Sequence, residues 1–392
     1  MVANIVLPRI MRIGAGASRE LAPLLQELGV KYPFIVSDEV MVKFGYLEAL
    51  TTGLDDAGIP YAVFDRTVPD PTVASINDGV AALRAGAHDG VVALGGGSPI
   101  DSAKAIAHLA VHGGRMRDFK APNVSDKPAM PLVAIPTTAG TGSEATRFTV
   151  ITDEETDEKM LCPGPAFCPV AALVDYELTL TMPRRLTADT GVDTLTHAIE
   201  AYVSAKRNPF SDAMAQMTIT AVAKHLRTAF NEPDNREARE AMMLAAMHGG
   251  MAFSNASVCL VHGMSRPIGA FFHVPHGLSN AMLLPAVTAF SIDAAPERYA
   301  NCARFMGAAR WSDTDEDACH KLLQALHELN QDLDVPTPKA YGIDKKRFFE
   351  VLPTMAEQAL ASGSPANNPR VPGIDEIIEV YARAWDGARA LH

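Results

Sequence analysis

A chain of 392 residues has room for two domains or one large one, and 48% hydrophobic with 20% charged residues is ordinary for a soluble globular protein. A net charge of −12 and a pI near 5.5 argue against nucleic acid as a partner. The five cysteines are odd in number and form no CxxC, which argues against a disulfide framework and fits a reducing cytoplasm.

The N-terminus, Met-Val-Ala-Asn-Ile-Val-Leu-Pro, has no basic start or long apolar run, so no signal peptide is expected. Residues 10–30 read as a short strand, a Gly14-Ala-Gly16 turn and a helix from Ser18 to Leu28. Phe34-Ile-Val-Ser-Asp38 is an apolar run ending in an acid, a buried strand with its tip at a ligand edge. Tyr61–Phe64 is a further strand, and Val73 to Ala85 a helix. Gly90–Leu94 is a fully apolar strand that enters Gly95-Gly-Gly-Ser98, and a helix follows to about Val111. Leu132–Pro136 is the next strand, opening into Thr137-Thr-Ala-Gly-Thr-Gly-Ser143. Alternating strands and helices imply a parallel sheet covered on both faces.

From about Pro183 the periodicity is helical, over 188–205, 210–230, 235–262, 279–290, 295–308, 315–330, 346–360 and 373–390. The expected division is an α/β domain over 1–183 and an all-helical domain over 184–392. Ala241 to Ser265 carries no Asp, Glu, Lys or Arg over 25 residues, long enough to span a bilayer. Its His248, Asn255 and His262 would be costly facing lipid, so a fully buried helix is the better reading and no membrane partner is expected.

Two small-residue loops follow adjacent strands, at 95–98 and 137–143. Each suits a phosphate held by backbone N–H groups at a helix N-terminus, and each suits a plain tight turn as well. The G-x-G-x-x-G fingerprint fails, because Ile100 stands at its sixth position. In the helical half, Val192, Leu195, Ile199 and Val203 form an apolar stripe, and Asp193 and His197 lie one turn apart on its flank. That pair reads as a cation site, or as a helix-start acid beside a half-buried histidine. His262 and His276 would stand about 21 Å apart on one straight helix. Pro267, Gly269, Pro275 and Gly277 punctuate the interval, so the chain can turn and gather one carboxylate and three imidazoles.

Asp-x-x-x-His, followed by two histidines fourteen residues apart with the second inside Pro-His-Gly, resembles the iron-dependent (group III) alcohol dehydrogenase family. With the two loops, the likeness runs from about Gly14 to about Arg370. It implies an α/β dinucleotide-binding domain with a parallel sheet and an all-α metal-binding domain, the architecture shared with dehydroquinate synthase. By resemblance Asp193, His197, His262 and His276 are the metal ligands. Nitrogen and oxygen donors without thiolate suit Fe(II), Zn(II), Mn(II) or Co(II). The resemblance favours Fe2+, and relatives of similar architecture use Zn2+. It places Gly96, Gly97, Ser98, Asp101, Thr137, Thr138 and Leu178 at a dinucleotide, with Lys159 and Asp38 at its riboses. A carboxylate at Asp38 accepts from a 2′-OH and repels a 2′-phosphate, which points to NAD; Asp38 as a plain helix cap is the other reading.

The expected activity is hydride transfer between a short-chain alcohol, diol or hydroxyacid and NAD, forming the aldehyde or ketone. The alternative is a metal-dependent lyase or synthase on the dehydroquinate synthase scaffold. A homodimer follows from the resemblance. Many members carry a second histidine four residues after the first of the pair, read as part of a proton relay, where this chain has Arg266. A guanidinium does not exchange protons near neutrality. Either Arg266 pairs with a carboxylate and the proton leaves through water or His273, or Arg266 binds an anionic group of the substrate.

Overall fold

The computed structural model describes residues 2–156 and 158–387, in two compact units that divide after Met182. The first unit carries β1 (Ile10–Ile13), α1 (Leu21–Leu28), β2 (Pro33–Val36), α2 (Glu39–Lys43), α3 (Tyr46–Asp56), β3 (Ala62–Phe64), α4 (Val73–Arg84), β4 (Gly90–Gly95), α5 (Gly97–His112), β5 (Leu132–Pro136), β6 (Phe148–Asp153), β7 (Glu158–Pro163) and β8 (Ala171–Val174).

Six strands form one parallel sheet in the order β1-β8-β5-β4-β2-β3. Successive side chains of a strand point to opposite faces, so a sheet covered on both sides needs apolar residues at every position. Val91 and Ala93 pack with Ile76, Val80 and Ile106 of α4 and α5 on one face. Val92 and Leu94 pack with Leu24, Leu25 and Leu54 of α1 and α3 on the other. Strands β6 and β7 form a separate antiparallel pair that the apolar patterning does not announce. β6 buries only alternate residues, and its Ile151 joins Met160 and Cys162 of β7 in the α4–α5 core.

The second unit is helical among its described residues: α6 (Arg184–Val203), α7 (Pro209–Asn231), α8 (Arg236–Ala256), α9 (Leu260–Phe272), α10 (His276–Ser291), α11 (Pro296–Phe305), α12 (Asp315–Asp332), α13 (Pro338–Tyr341), α14 (Lys345–Ala361) and α15 (Ile374–Ala384). Helix α6 is buried on every side from Gly191 to Val203, and α7, α8 and α10 pack around it. Its polar residues are therefore interior groups, not the flank of an amphipathic stripe. The 235–262 stretch expected as one helix is two, α8 and α9, bent by 106°. The break falls at Ser257, which takes φ 67 although it is not a glycine. Pro267 and Gly269 lie inside α9, and the chain turns at His273–Pro275 instead. Among the described residues no single helix is long and apolar enough to cross a membrane.

Candidate metal centre

Asp193 and His197 stand one turn apart on α6, His262 sits at the third position of α9, and His276 opens α10. The break at Ser257 turns α9 back toward α6, and the turn at His273–Pro275 returns the chain to the same point. Asp193, His197 and His262 are buried, while the His276 side chain is 42% exposed. The four candidate ligand atoms lie within 4.8 Å of one another. From Asp193 Oδ1 it is 3.8 Å to His197 Nε2, 3.5 Å to His262 Nε2 and 3.8 Å to His276 Nε2. Two ligands each about 2.1 Å from one tetrahedral cation are about 3.4 Å apart, so the donor set has the size of a metal site.

Gly277 makes the approach of α10 to α6 workable. A Cβ on Gly277 would lie 2.6 Å from the carbonyl oxygen of Asp189, a backbone atom of α6 that no rotamer change can move. Packing against His197 holds the cluster further: Phe253 of α8 stacks on its ring at 4.2 Å, and the His262 ring stacks at 4.6 Å from the other helix.

Two residues that the sequence reading passed over complete the cluster. Asn280, one turn after His276 and fully buried, donates from Nδ2 to Asp193 Oδ1 at 2.6 Å. The same nitrogen is 3.2 Å from Nε2 of both His262 and His276. One nitrogen thus lies within reach of three of the four ligand atoms, so these atoms surround a single point. Asn280 Oδ1 is buried with no hydrogen-bond partner among the described residues. Glu200 continues the Asp193–His197 row at i+7 and holds His262 Nδ1 at 2.6 Å. Both residues show the spacing of metal-site neighbours in the sequence, but nothing local distinguishes them from ordinary core polar groups.

The electrostatics favour positive charge at the convergence point. Burial works against an ionised Asp193, yet the imidazoles of His197, His276 and His262 outweigh it and hold the carboxyl well below the usual range. Burial likewise disfavours a charged His262, but Glu200 and Asp193 overcome it and push its pKa up to about 9. Arg266 is half-buried one turn past His262. Burial lowers its pKa and Glu200 opposes that, and among the described residues it forms no hydrogen bond or ion pair. His273 is exposed and caps α9 with φ 54.

In the first unit, the other candidate residues line up along the carboxyl ends of neighbouring strands. Asp38 follows β2, Gly96–Ser98 follow β4, Thr137–Thr138 follow β5, and Leu178 follows β8, and these four strands are contiguous in the sheet. The two glycine loops are packed together: Thr137 N–H donates to the Gly95 carbonyl at 3.0 Å, and a Cβ on Gly97 would lie 2.8 Å from Thr141 Cγ2. Gly96 is the N-cap of α5 and has no side chain to occupy the free amides there. Asp101 turns inward, accepting from Ser143 Oγ at 2.6 Å and from the Val150 N–H at 2.8 Å. Lys104, wholly buried beneath, donates to Ser143 Oγ, Thr146 Oγ1 and the Phe148 carbonyl. Glu144 beside it is buried, which pushes its pKa up to about 7. Asp38 does cap α2, accepting from the Met41 N–H at 2.9 Å. Lys159, on β7 and outside the row, pairs with Asp70 at 2.8 Å.

The chain is similar to known proteins over nearly its whole length. The model of the iron-containing alcohol dehydrogenases matches residues 8–176, and the C-terminal model of the same family matches residues 187–385. The chain is 35% identical to the NAD-dependent methanol dehydrogenase of Bacillus methanolicus over 98% of its length and 100% of the relative. It is 36% identical to the NADPH-dependent butanol dehydrogenase of Clostridium saccharobutylicum, covering 97% of each. The crystal structure of a 1,3-propanediol oxidoreductase superposes with a TM-score of 0.94 at 35% identity, over 98% of this chain and 100% of that one.

Proposed function

Because the chain belongs to the iron-containing alcohol dehydrogenase family, and is an oxidoreductase of it, we propose that Asp193, His197, His262 and His276 hold one divalent cation and that hydride passes between a short-chain alcohol and NAD. The observation that carries this reading is the convergence of one carboxylate and three imidazoles within 4.8 Å. A bound cation supplies the Lewis acidity that stabilises a deprotonated hydroxyl or polarises a carbonyl, and the nicotinamide supplies the hydride acceptor.

The chain's own residues do the rest. Asp193 gives the donor set a single negative charge, so the site stays electrophilic with a divalent ion. His276, the exposed member, marks the side from which a substrate oxygen approaches. Gly96, Gly97 and Ser98 offer backbone amides at the start of α5 to the pyrophosphate. Thr137, Thr138, Leu178 and Lys159 contact the nicotinamide half, and Asp101, through Ser143, holds the loop that carries the two threonines. Asp38 accepts from the adenosine ribose and disfavours a 2′-phosphate. Arg266 has no carboxylate bound to it among the described residues, which supports a role in binding an anionic substrate group, with His273 or water taking the proton. The relatives' names divide between NAD and NADPH, so the preference for NAD rests on Asp38 alone.

The test follows NADH absorbance for the Fe2+- and Zn2+-loaded protein with primary alcohols, diols, hydroxyacids and their aldehydes. Turnover with at least one member, lost together with bound metal in His262→Ala while the fold persists, is the expected result. Native metal content and activity in that variant would refute the ligand assignment.

A further inference from the structure

The His262 ring has two nitrogens, and only one faces the candidate metal point. Nε2 lies 3.5 Å from Asp193 Oδ1, while Nδ1 lies 2.6 Å from Glu200 Oε2. An ionised carboxylate is an acceptor only, so the hydrogen in that short contact belongs to Nδ1. In a neutral ring Nε2 then carries the lone pair. The other oxygen is engaged too: Glu200 Oε1 accepts from the Val261 N–H at 2.6 Å. Glu200 is buried and sits two turns beyond Asp193 on α6, so a ligand and the group that would orient another ligand share one rigid element.

The same contact serves α9. Its N-cap, Cys259, makes no side-chain cap bond, and the Glu200 carboxylate takes the amide of Val261 at that helix start instead. A purely capping role would need one oxygen. The second oxygen, on Nδ1 of a candidate ligand, is what capping leaves unexplained.

Resting on the metal-site reading above, we propose that Glu200 is the positioning residue of the centre: it fixes the tautomer and the ring plane of His262 so that Nε2 is presented to the cation. A carboxylate–histidine–metal relay of this kind raises ligand basicity, and losing its outer member weakens metal binding about 10–100-fold. Glu200→Gln keeps the volume but offers one acceptor where two donors wait. Either the Val261 N–H faces an NH2, or His262 reverses its tautomer and turns an N–H toward the metal.

The experiment titrates the full-length protein with Zn2+ against a chelator at pH 7, alongside thermal melts and 15N-histidine spectra of the zinc-loaded protein. Wild type should show a downfield, slowly exchanging Nδ1 proton that His262→Ala removes. Glu200→Gln should bind Zn2+ about 10–100-fold more weakly and lose that signal. Its melting temperature reports the lost cap separately, and a cap alone moves neither the signal nor the affinity. Zinc affinity within twofold of wild type in Glu200→Gln overturns the proposal. If Glu200→Gln does not fold, the wild-type spectrum decides: a protected Nδ1 proton on His262 supports it, and coordination through Nδ1 overturns it. A wild type that binds no zinc overturns the metal reading with it, whereas loss of zinc in His262→Ala but not in Glu200→Gln overturns this inference alone.

Discussion

Asn280 donates its side-chain amide to Asp193 at 2.6 Å across 87 residues of sequence, linking the second turn of α10 to the middle of α6. A carboxylate that accepts this bond is held in one rotamer and presents its remaining lone pairs to the cluster. Asn280→Ala should leave the helices in place and weaken Zn2+ binding about tenfold or more. Chelator competition measures it, and wild-type affinity in the variant would show that Asp193 needs no such support.

Gly277 lets α10 touch the backbone of α6. Gly277→Ala puts a methyl into the Asp189 carbonyl, so the start of α10 must withdraw and take His276 with it. The expected cost is about 1–3 kcal/mol of stability together with weaker metal binding. Urea unfolding and zinc titration report the two effects, and an unchanged urea midpoint would mean that α10 yields freely.

Asp38 has two functions that one substitution can separate. Asp38→Asn keeps an oxygen for the Met41 N–H and so keeps the cap, but removes the charge. The ratio of kcat/KM for NADP over NAD should rise about tenfold, worth about 1.4 kcal/mol. A wild type that already prefers NADP would reduce Asp38 to a cap.

Arg266 predicts the order of substrates. A short hydroxyacid or its semialdehyde should give a better kcat/KM than the neutral alcohol or aldehyde of equal length, and Arg266→His should reverse that order. If wild type prefers the neutral compound and the variant leaves the ratio unchanged, Arg266 does not meet the substrate.

His108 sets an acid limit on the first unit. Its ring is buried against Phe119 and Phe167, and neither nitrogen has a hydrogen-bond partner among the described residues. Burial, with a smaller contribution from His112, lowers its pKa to about 4 from the 6.5 of the free side chain. Below that ordinary value the unfolded chain binds a proton that the folded chain refuses, so stability is whole above pH 6.5 and falls as pH drops toward about 4. His108→Phe should remove this loss, roughly 1–3 kcal/mol across the window. Urea midpoints at pH 4.5 and pH 7 check it, and an equal pH slope in both proteins would assign the loss elsewhere.

Much of the fold could be read locally. Strands such as Gly90–Gly95 are apolar at every position because both faces are covered, and that pattern survives without knowledge of the partners. The glycine loops that end β4 and β5 were legible for the same reason, since a tight turn demands small residues wherever it packs. The β6–β7 pair was not, because half-buried alternation interrupted by charge resembles a loop.

What the sequence determined by itself was angular: the 3.6-residue period puts Asp193 and His197 on one face of α6, and Glu200 with them, and it puts Asn280 one turn from His276. The tertiary structure decided which faces meet. The 106° bend between α8 and α9 turns on a serine at positive φ, a conformation that no local preference announces, and it is this bend that returns His262 to α6. The pairings of Glu200 with His262 across 62 residues and of Asn280 with Asp193 across 87 follow from that bend and from the contact at Gly277. Helix periodicity is a property of neighbouring residues, whereas the sum of burial and hydrogen bonding that selects one meeting of faces belongs to the whole unit.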